Sequence, residues 1–225
     1  ERYEAWGNLA RKLAHEIKNP LTPIQLSIDR IKEKYIQQGD KNEKDNFEEN
    51  LKIINNQIKQ IGNLVNEFSD FARMPKPVLK KNDLIKIIHE NIKLLSEIDP
   101  LIKIDFINYK SSILLECDKE QISRVILNLI KNSIESIQQK AENTSNFDKI
   151  ITIEIFEKNN QIYIIIIDSG LGFENLKNNI KDILNPYFTT KKNGTGLGLS
   201  IVNKIINDHN GEINFVSIPN GAKIE

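Results

Sequence analysis

Apolar positions in the first third of the chain recur in steps of four and three. Ala10, Ala14, Ile17, Leu21, Ile24, Ile28, Ile31 and Tyr35 form one such seam. Phe47, Leu51, Ile54, Ile58, Ile61, Val65, Phe68 and Ala72 form a second. This spacing is the pattern of helices that pack along a narrow stripe. It predicts a helix over about residues 3–35, a polar turn at 37–42 around Gly39, and a second helix over about 43–73. Two helices joined by so short a connection form an antiparallel hairpin. One hairpin leaves apolar surface uncovered, so a second copy is expected to complete a four-helix bundle. Met74-Pro75-Lys76-Pro77 ends the second helix and makes a stiff linker.

Beyond the linker the period changes. Leu84, Ile87, Ile88, Ile92 and Leu95 put an apolar face on a helix over 83–95, and strands are expected at 101–108 and 112–116. Asp118-Lys119-Glu120-Gln121 has the form of a capping box, a carboxylate at the N-cap and Gln three residues on. It opens a helix predicted to reach about Lys140. After a polar loop, the alternating run 150–157, the pair Asn159-Asn160 and the run 162–167 read as a β-hairpin. The second of these strands is apolar on both faces, so it is expected to lie buried in a sheet. A glycine-rich stretch, a helix over 197–207 and a strand over 212–217 follow. Gly221 to Glu225 reads as an unfinished strand. The whole is predicted to be α+β: a helical hairpin over 1–74, then an α/β sandwich with a mixed sheet over 78–225.

Composition narrows the classes. Lys+Arg and Asp+Glu are both 31, so no net charge points to nucleic acid as a partner. Cys117 is the single cysteine, which excludes a disulfide framework and a thiol metal cluster, and it reads as a small buried apolar residue. No apolar run reaches the ~20 residues of a membrane helix. The chain starts without Met and ends in that strand, so it is read as a cytoplasmic fragment of a longer protein. Any membrane contact would come through upstream segments.

The candidate chemistry starts at His15. In the helical register His15 falls just outside the seam, with Asn19 one turn on along the same face and Glu16 adjacent. A lone surface His is ordinarily just solvated. Here it is followed by Pro20 and Pro23, each costing a helical hydrogen bond and about 3 kcal/mol in a helix interior, which suits a helix that bends beyond a reactive residue. Four further stretches carry the elements of a nucleotide site. Asn128 and Asn132 share a helical face, and amide oxygen is a suitable hard ligand for Mg²⁺. Asp168-Ser169-Gly170-Leu171-Gly172 ends the apolar strand, where an acceptor-only carboxylate can take the amino hydrogen of adenine and glycines permit close approach. Asn185 to Lys192 sets aromatic, hydroxyl and cationic residues in a row, suited to clamping phosphates. Gly194-Thr195-Gly196-Leu197-Gly198-Leu199-Ser200 runs into a helix, whose N-terminus favours anions. It lacks the Gly-Lys-Ser/Thr of a P-loop. Each stretch alone has a plainer reading as exposed polar helix or turn.

Together, and in this order, they resemble the sensor histidine kinases of two-component signalling. The His-Glu-Ile-Lys-Asn-Pro-Leu-Thr-Pro and Phe-Ala-Arg-Met-Pro phrases are most similar to the nitrogen-regulation branch, the NtrY/NtrB type. The resemblance covers nearly the whole chain. It implies a dimerisation and histidine-phosphotransfer domain over 1–74 and a catalytic ATP-binding domain of the gyrase–Hsp90–kinase–MutL type over 78–225. It implies ATP and Mg²⁺ as substrate and cofactor, a homodimer, a response regulator receiver domain as partner, and a parent protein anchored in the inner membrane. By motif, His15 is the phosphoacceptor, Glu16 its general base, and Asn19 the amide that positions water for dephosphorylating the regulator. Asn132 ligates the metal with Asn128 close by, and Asp168 binds adenine. Gly170, Gly172, Gly194, Gly196 and Gly198, with Thr195, shape the lid and phosphate loops. Where many members carry a cation three residues after the second Asn, this chain has Glu135, which makes Lys191 the better phosphate ligand. Rival readings are an ATPase of the same superfamily, argued against by Asn128 standing where those enzymes carry a basic Glu, and a non-catalytic dimerisation and nucleotide-sensing module. His89 and His209 are assigned no role.

Overall fold

The computed structural model describes residues 17, 20–31, 33, 43–72, 74–144, 146–173, 180–186, 188, 189, 191 and 194–225. Two compact units divide the chain. One is Glu1–Met74 with Thr189–Leu197, and the other is Pro75–Phe188 with Gly198–Glu225.

In the first unit, residues 20–31 (α1) and Glu43–Ala72 (α2) are helical. Burial splits their apolar residues into two stripes. Ile24, Ile31, Ile54 and Ile61 are half-buried and Leu64 is buried. Leu21, Ile28, Phe47, Leu51, Ile58 and Val65 are exposed. The four-three seam read from the sequence is therefore not one contact surface. Alternate members, seven residues apart, stay open within the single chain. The polar Ser27 and Asn50 are buried instead, one position to the side of that seam.

The second unit is an α/β sandwich. Its five-stranded sheet has the order β2-β4-β5-β7-β6, built from Lys103–Asn108 (β2), Ile150–Lys158 (β4), Gln161–Asp168 (β5), Gly221–Ile224 (β7) and Phe215–Ile218 (β6). The β2–β4 pair is parallel and the others antiparallel, so the sheet is mixed. The β4–β5 hairpin turns at Asn159 and Asn160, both with positive φ, the geometry a two-residue hairpin loop requires and that Asn tolerates. Helices Leu84–Leu95 (α3), Lys119–Ala141 (α4) and Gly198–Asp208 (α5) contribute the rest of the core. Burial alternates along β4, with Ile151, Ile153 and Ile155 wholly buried and their neighbours less so. The expectation that β5 lies buried holds for its second half. Ile166 and Asp168 share one buried face through register with Ile153 and Ile151, and Ile165 is buried on the other face. Tyr163 and Ile167 on that other face are half-buried, and Tyr163 stacks on Phe156 at 5.2 Å.

Two further features differ from the sequence reading. Lys80–Asp83 (β1) is a strand, pairing antiparallel with Leu114–Cys117 (β3). Its Lys-Lys-Asn-Asp sequence has no apolar alternation, so only pairing across the chain reveals it. The capping box is only half formed. Asp118 accepts from the N–H groups of Glu120 and Gln121, each at 3.1 Å. However, Gln121 Nε2 donates to the Pro75 carbonyl, and the Asp118 N–H donates to His209 Nε2 at 3.0 Å. His209 Nδ1, 2.8 Å from the Ile205 carbonyl, donates there. His209 therefore ties the end of α5 to the start of α4, a structural role the sequence did not announce. His89 packs edge-on against Phe106 at 4.8 Å.

Candidate functional site

The site in the second unit is built on α4. Asp118 fixes where that helix begins, and its second carboxylate oxygen accepts from the Val78 N–H at 2.9 Å, which joins the linker to the cap. From there Asn128, Asn132, Ser136 and Lys140 follow at four-residue steps, one above another on one face. The Asn128 side-chain N–H donates to the Arg124 carbonyl one turn back at 2.9 Å. That fixes the amide and leaves its oxygen toward the first residue of α5, 3.4 Å from where a Cβ on Gly198 would lie. Asn132 is half-buried one turn further along.

Asp168 ends β5 beside this face and is 5% exposed. One carboxylate oxygen accepts from the Ser133 hydroxyl at 3.0 Å, the other from the Gly170 N–H at 2.9 Å. Burial pushes the carboxyl above its ordinary pKa. Hydrogen bonds from Gly170, Ser133 and Ala222 and the charge of Lys140 offset this in part. An ionised carboxylate offers about four lone-pair sites, so these three donors leave capacity for a further one.

The turn after Asp168 is close-packed. A Cβ on Gly170 would lie 2.2 Å from Ser136 Oγ, and one on Gly172, whose φ is +69, would lie 2.4 Å from the Gly221 carbonyl oxygen. Ser136 Oγ accepts from the Leu171 N–H at 3.0 Å. Lys140 Nζ donates to the carbonyls of Ser169, Gly170 and Asn220 at 2.8, 3.1 and 3.1 Å.

Lys191, Thr195 and Gly196 belong to the first unit with Gly194. There the Lys191 N–H donates to Thr189 Oγ1 at 3.1 Å, Gly196 has φ +67, and the Thr195 hydroxyl donates to the Glu67 carboxylate of α2. His15, Glu16 and Asn19 lie outside the described residues. Glu135 lies 4.0 Å from Lys131 in an exposed i,i+4 ion pair. Sequence reasoning missed Ser133, Ser136, Lys140 and Gly221. Ser136 and Lys140 continue the Asn128–Asn132 face and Ser133 lies off it, and only the packing of α4 against the turn after Asp168 shows what the three of them do. Gly221 carried no signal, since only the pairing of β7 with β5 brings it against Asp168.

The donor set suits Mg²⁺ bound with a nucleotide. Among the described residues no group of three or more His, Cys, Asp or Glu side chains is placed to hold a metal. An amide oxygen, phosphate oxygens and water can make up such a shell, because Mg²⁺ retains water readily.

Two family models match the chain. The His Kinase A (phospho-acceptor) domain matches residues 5–77, and the histidine kinase-, DNA gyrase B- and HSP90-like ATPase matches 117–225. The chain is 36% identical over 221 residues to nitrogen regulation protein NtrY of Azorhizobium caulinodans, covering 98% of this chain and 28% of that protein. It is 35% identical over 217 residues to a putative sensor histidine kinase, NtrY-like, of Rickettsia felis, covering 96% and 35%. The chain thus spans about a third or less of these relatives. Among solved structures, histidine kinase ThkA in complex with response regulator protein TrrA matches with a TM-score of 0.73 and 28% identity, over 100% of this chain and 61% of that one. Two modules in this order, with these relatives, establish that the chain belongs to the sensor histidine kinases of two-component systems, in the NtrY-type branch.

Proposed function

We propose that this chain is a histidine kinase core that phosphorylates itself on His15 with ATP and passes the phosphoryl group to a response regulator. The observation that carries the reading is Asp168, a buried carboxylate clasped by Ser133 and Gly170 beside the amide face of α4. Such a carboxylate serves adenine's amino group. Asn132, with Asn128 near it, would hold Mg²⁺, which neutralises charge on the transferring phosphoryl group. Lys191, Thr195 and the glycines of 194–198 would hold the phosphates. In this reading residues 1–74 form the phosphotransfer domain, and 78–225 the ATP-binding domain.

In the transfer, a neutral imidazole nitrogen of His15 forms a bond to the γ-phosphorus as the bond from that phosphorus to the bridging oxygen breaks, and ADP leaves. Glu16 accepts the proton of the other ring nitrogen and offsets the developing positive charge. The phosphoryl group then moves to an aspartate of the regulator's receiver domain. Asn19 cannot act as a base, but its amide can hold water in line with that acyl phosphate. Asn128 favours this reading over ATP hydrolysis, because an amide cannot take a proton from water as the Glu of the hydrolysing relatives does. ThkA, solved with its regulator, supports the choice of partner. The exposed stripe through Leu51, Ile58 and Val65 supports a homodimer. In this reading the sensory and membrane-anchoring parts of the parent protein lie outside these 225 residues.

Incubation with γ-labelled ATP tests the proposal. Label is expected on the protein. Glu16→Ala should slow labelling by ~10²–10⁴-fold, the usual worth of a general base. Asn19→Ala should keep most labelling but lose dephosphorylation of the regulator. Free phosphate without labelled protein would establish the ATPase reading instead.

A further inference from the structure

Lys140 is a cation in the last turn of α4, well past the asparagines, and the proposed mechanism does not use it. Its ammonium makes three hydrogen bonds, to Ser169, Gly170 and Asn220 carbonyls, at 2.8, 3.1 and 3.1 Å. An ammonium has three donors, so these bonds use all of them. Its Nζ also lies over the Phe147 ring, 4.7 Å from the centroid. Two of the acceptors belong to the turn that follows Asp168. The third belongs to the β6–β7 turn, where Asn220 has φ 63.

These contacts gather two turns that already touch. A Cβ on Gly221 would lie 1.9 Å from the Asp168 carbonyl oxygen, and one on Gly172 would meet the Gly221 carbonyl. The Ser169–Gly170 peptide is central to the arrangement. Its N–H, that of Gly170, donates to Asp168 Oδ1, and its carbonyl, that of Ser169, accepts from Lys140 at 2.8 Å. Polarising that carbonyl strengthens the N–H as a donor, since linked hydrogen bonds reinforce one another. Fixing the peptide also fixes the direction in which the carboxylate presents its remaining lone pairs.

We propose that Lys140 is a positioning residue for base recognition: it clamps the turns after β5 and between β6 and β7, so that Asp168 faces the 6-amino group of an adenine nucleotide. The inference rests on the reading of Asp168 as the adenine acceptor. Lys140 acts through Asp168 and the Ser169–Gly170 peptide, and is not placed in contact with the nucleotide.

The test uses Lys140→Met, which keeps an unbranched apolar stem and removes the donors and the charge, with Lys140→Gln as a second variant retaining a shorter amide donor. Binding of ADP and of purine riboside diphosphate, which lacks the 6-amino group, is measured by calorimetry with Mg²⁺ for the parent chain, both Lys140 variants and Asp168→Asn. Lys140→Met should weaken ADP about tenfold and leave the 6-unsubstituted nucleotide nearly unchanged. Lys140→Gln should fall between, and Lys140→Met added to Asp168→Asn should have no further effect on ADP. Equal weakening of both nucleotides, or parent-like ADP binding, would overturn the proposal; should Lys140→Met not fold, Lys140→Gln decides on the same ratio. If Asp168→Asn alone binds ADP like the parent, it is the adenine assignment that fails.

Discussion

Asp168 carries two opposed requirements. It must be charged to accept from adenine's amino group, yet it is almost wholly buried, which favours the neutral form. Its folded pKa is raised above the unfolded value, so across that window the folded chain binds protons more tightly than the unfolded one. The nucleotide-free fold should therefore gain stability from this group as pH falls through the window. Adenine affinity should move the other way. It should be present above the raised pKa and lost below it, at a pH above the ordinary Asp value of about 3.9. Calorimetry of ADP binding across pH checks this, and Asp168→Asn should bind more weakly and without that pH step. A step that persists in Asp168→Asn would assign the titration to another group. The Asp was legible from its place after an apolar strand and before two glycines. Its partners were less so. Ser133 and Lys140 are ordinary helix residues until the helix is set against the turn, and nothing in the sequence around Gly221 shows that it must lack a side chain to lie against Asp168.

At the scale of elements, periodicity gave the helices and the hairpin, because one-sided burial imprints itself on the order of residues. α2, α3, α4, α5 and the β4–β5 hairpin end within a residue or two of their expected places. What the sequence hid are contacts made by polar residues. β1 exists through pairing with β3, and the expected return bond of the capping box is replaced by His209. The cap on α4 therefore has three ties, to its own first turn, to the linker at Val78 and to the end of α5. Burial pushes the Asp118 carboxyl up, but N–H donors from Val78, Gln121 and Glu120 and the nearby His209 outweigh it and hold the pKa below its usual value. Asp118→Ala should cost about 1–2 kcal/mol, toward the upper part of the range for N-cap loss. Denaturant unfolding of the parent chain and the variant would show it. Part of that stability should also disappear in the parent chain as pH drops below the usual carboxylate range, since a lowered folded pKa stabilises only above it. A loss below about 0.3 kcal/mol would mean that water replaces the cap without cost.

At the scale of the whole molecule, the chain combines a helical hairpin with an open apolar stripe and a sandwich with a closed core. Ile58 lies in the middle of that stripe and is 55% exposed in the single chain. Leu51 and Val65, seven residues to either side on the same helix, are exposed as well, so α2 presents a row of apolar residues to water. A second copy of the hairpin would cover it. Ile58→Asp should then break the dimer, since it would bury an unpaired charge. Sedimentation at micromolar concentration should give a dimer for the parent and a monomer for the variant. A parent that runs as a monomer would remove the four-helix bundle from the account. The sequence showed the stripe but not its division, because a four-three seam does not say which of its members face inside one chain.

The central claim is that the nucleotide bound near Asp168 and Asn132 gives its γ-phosphoryl group to His15. The most direct measurement is incubation of the chain with γ-labelled ATP and Mg²⁺, followed by acid treatment and mapping of the label to a residue. Acid-labile phosphate on His15, absent in His15→Ala, is the expected result. Acid-labile phosphate that persists undiminished in His15→Ala, or label that resists acid, would contradict the account.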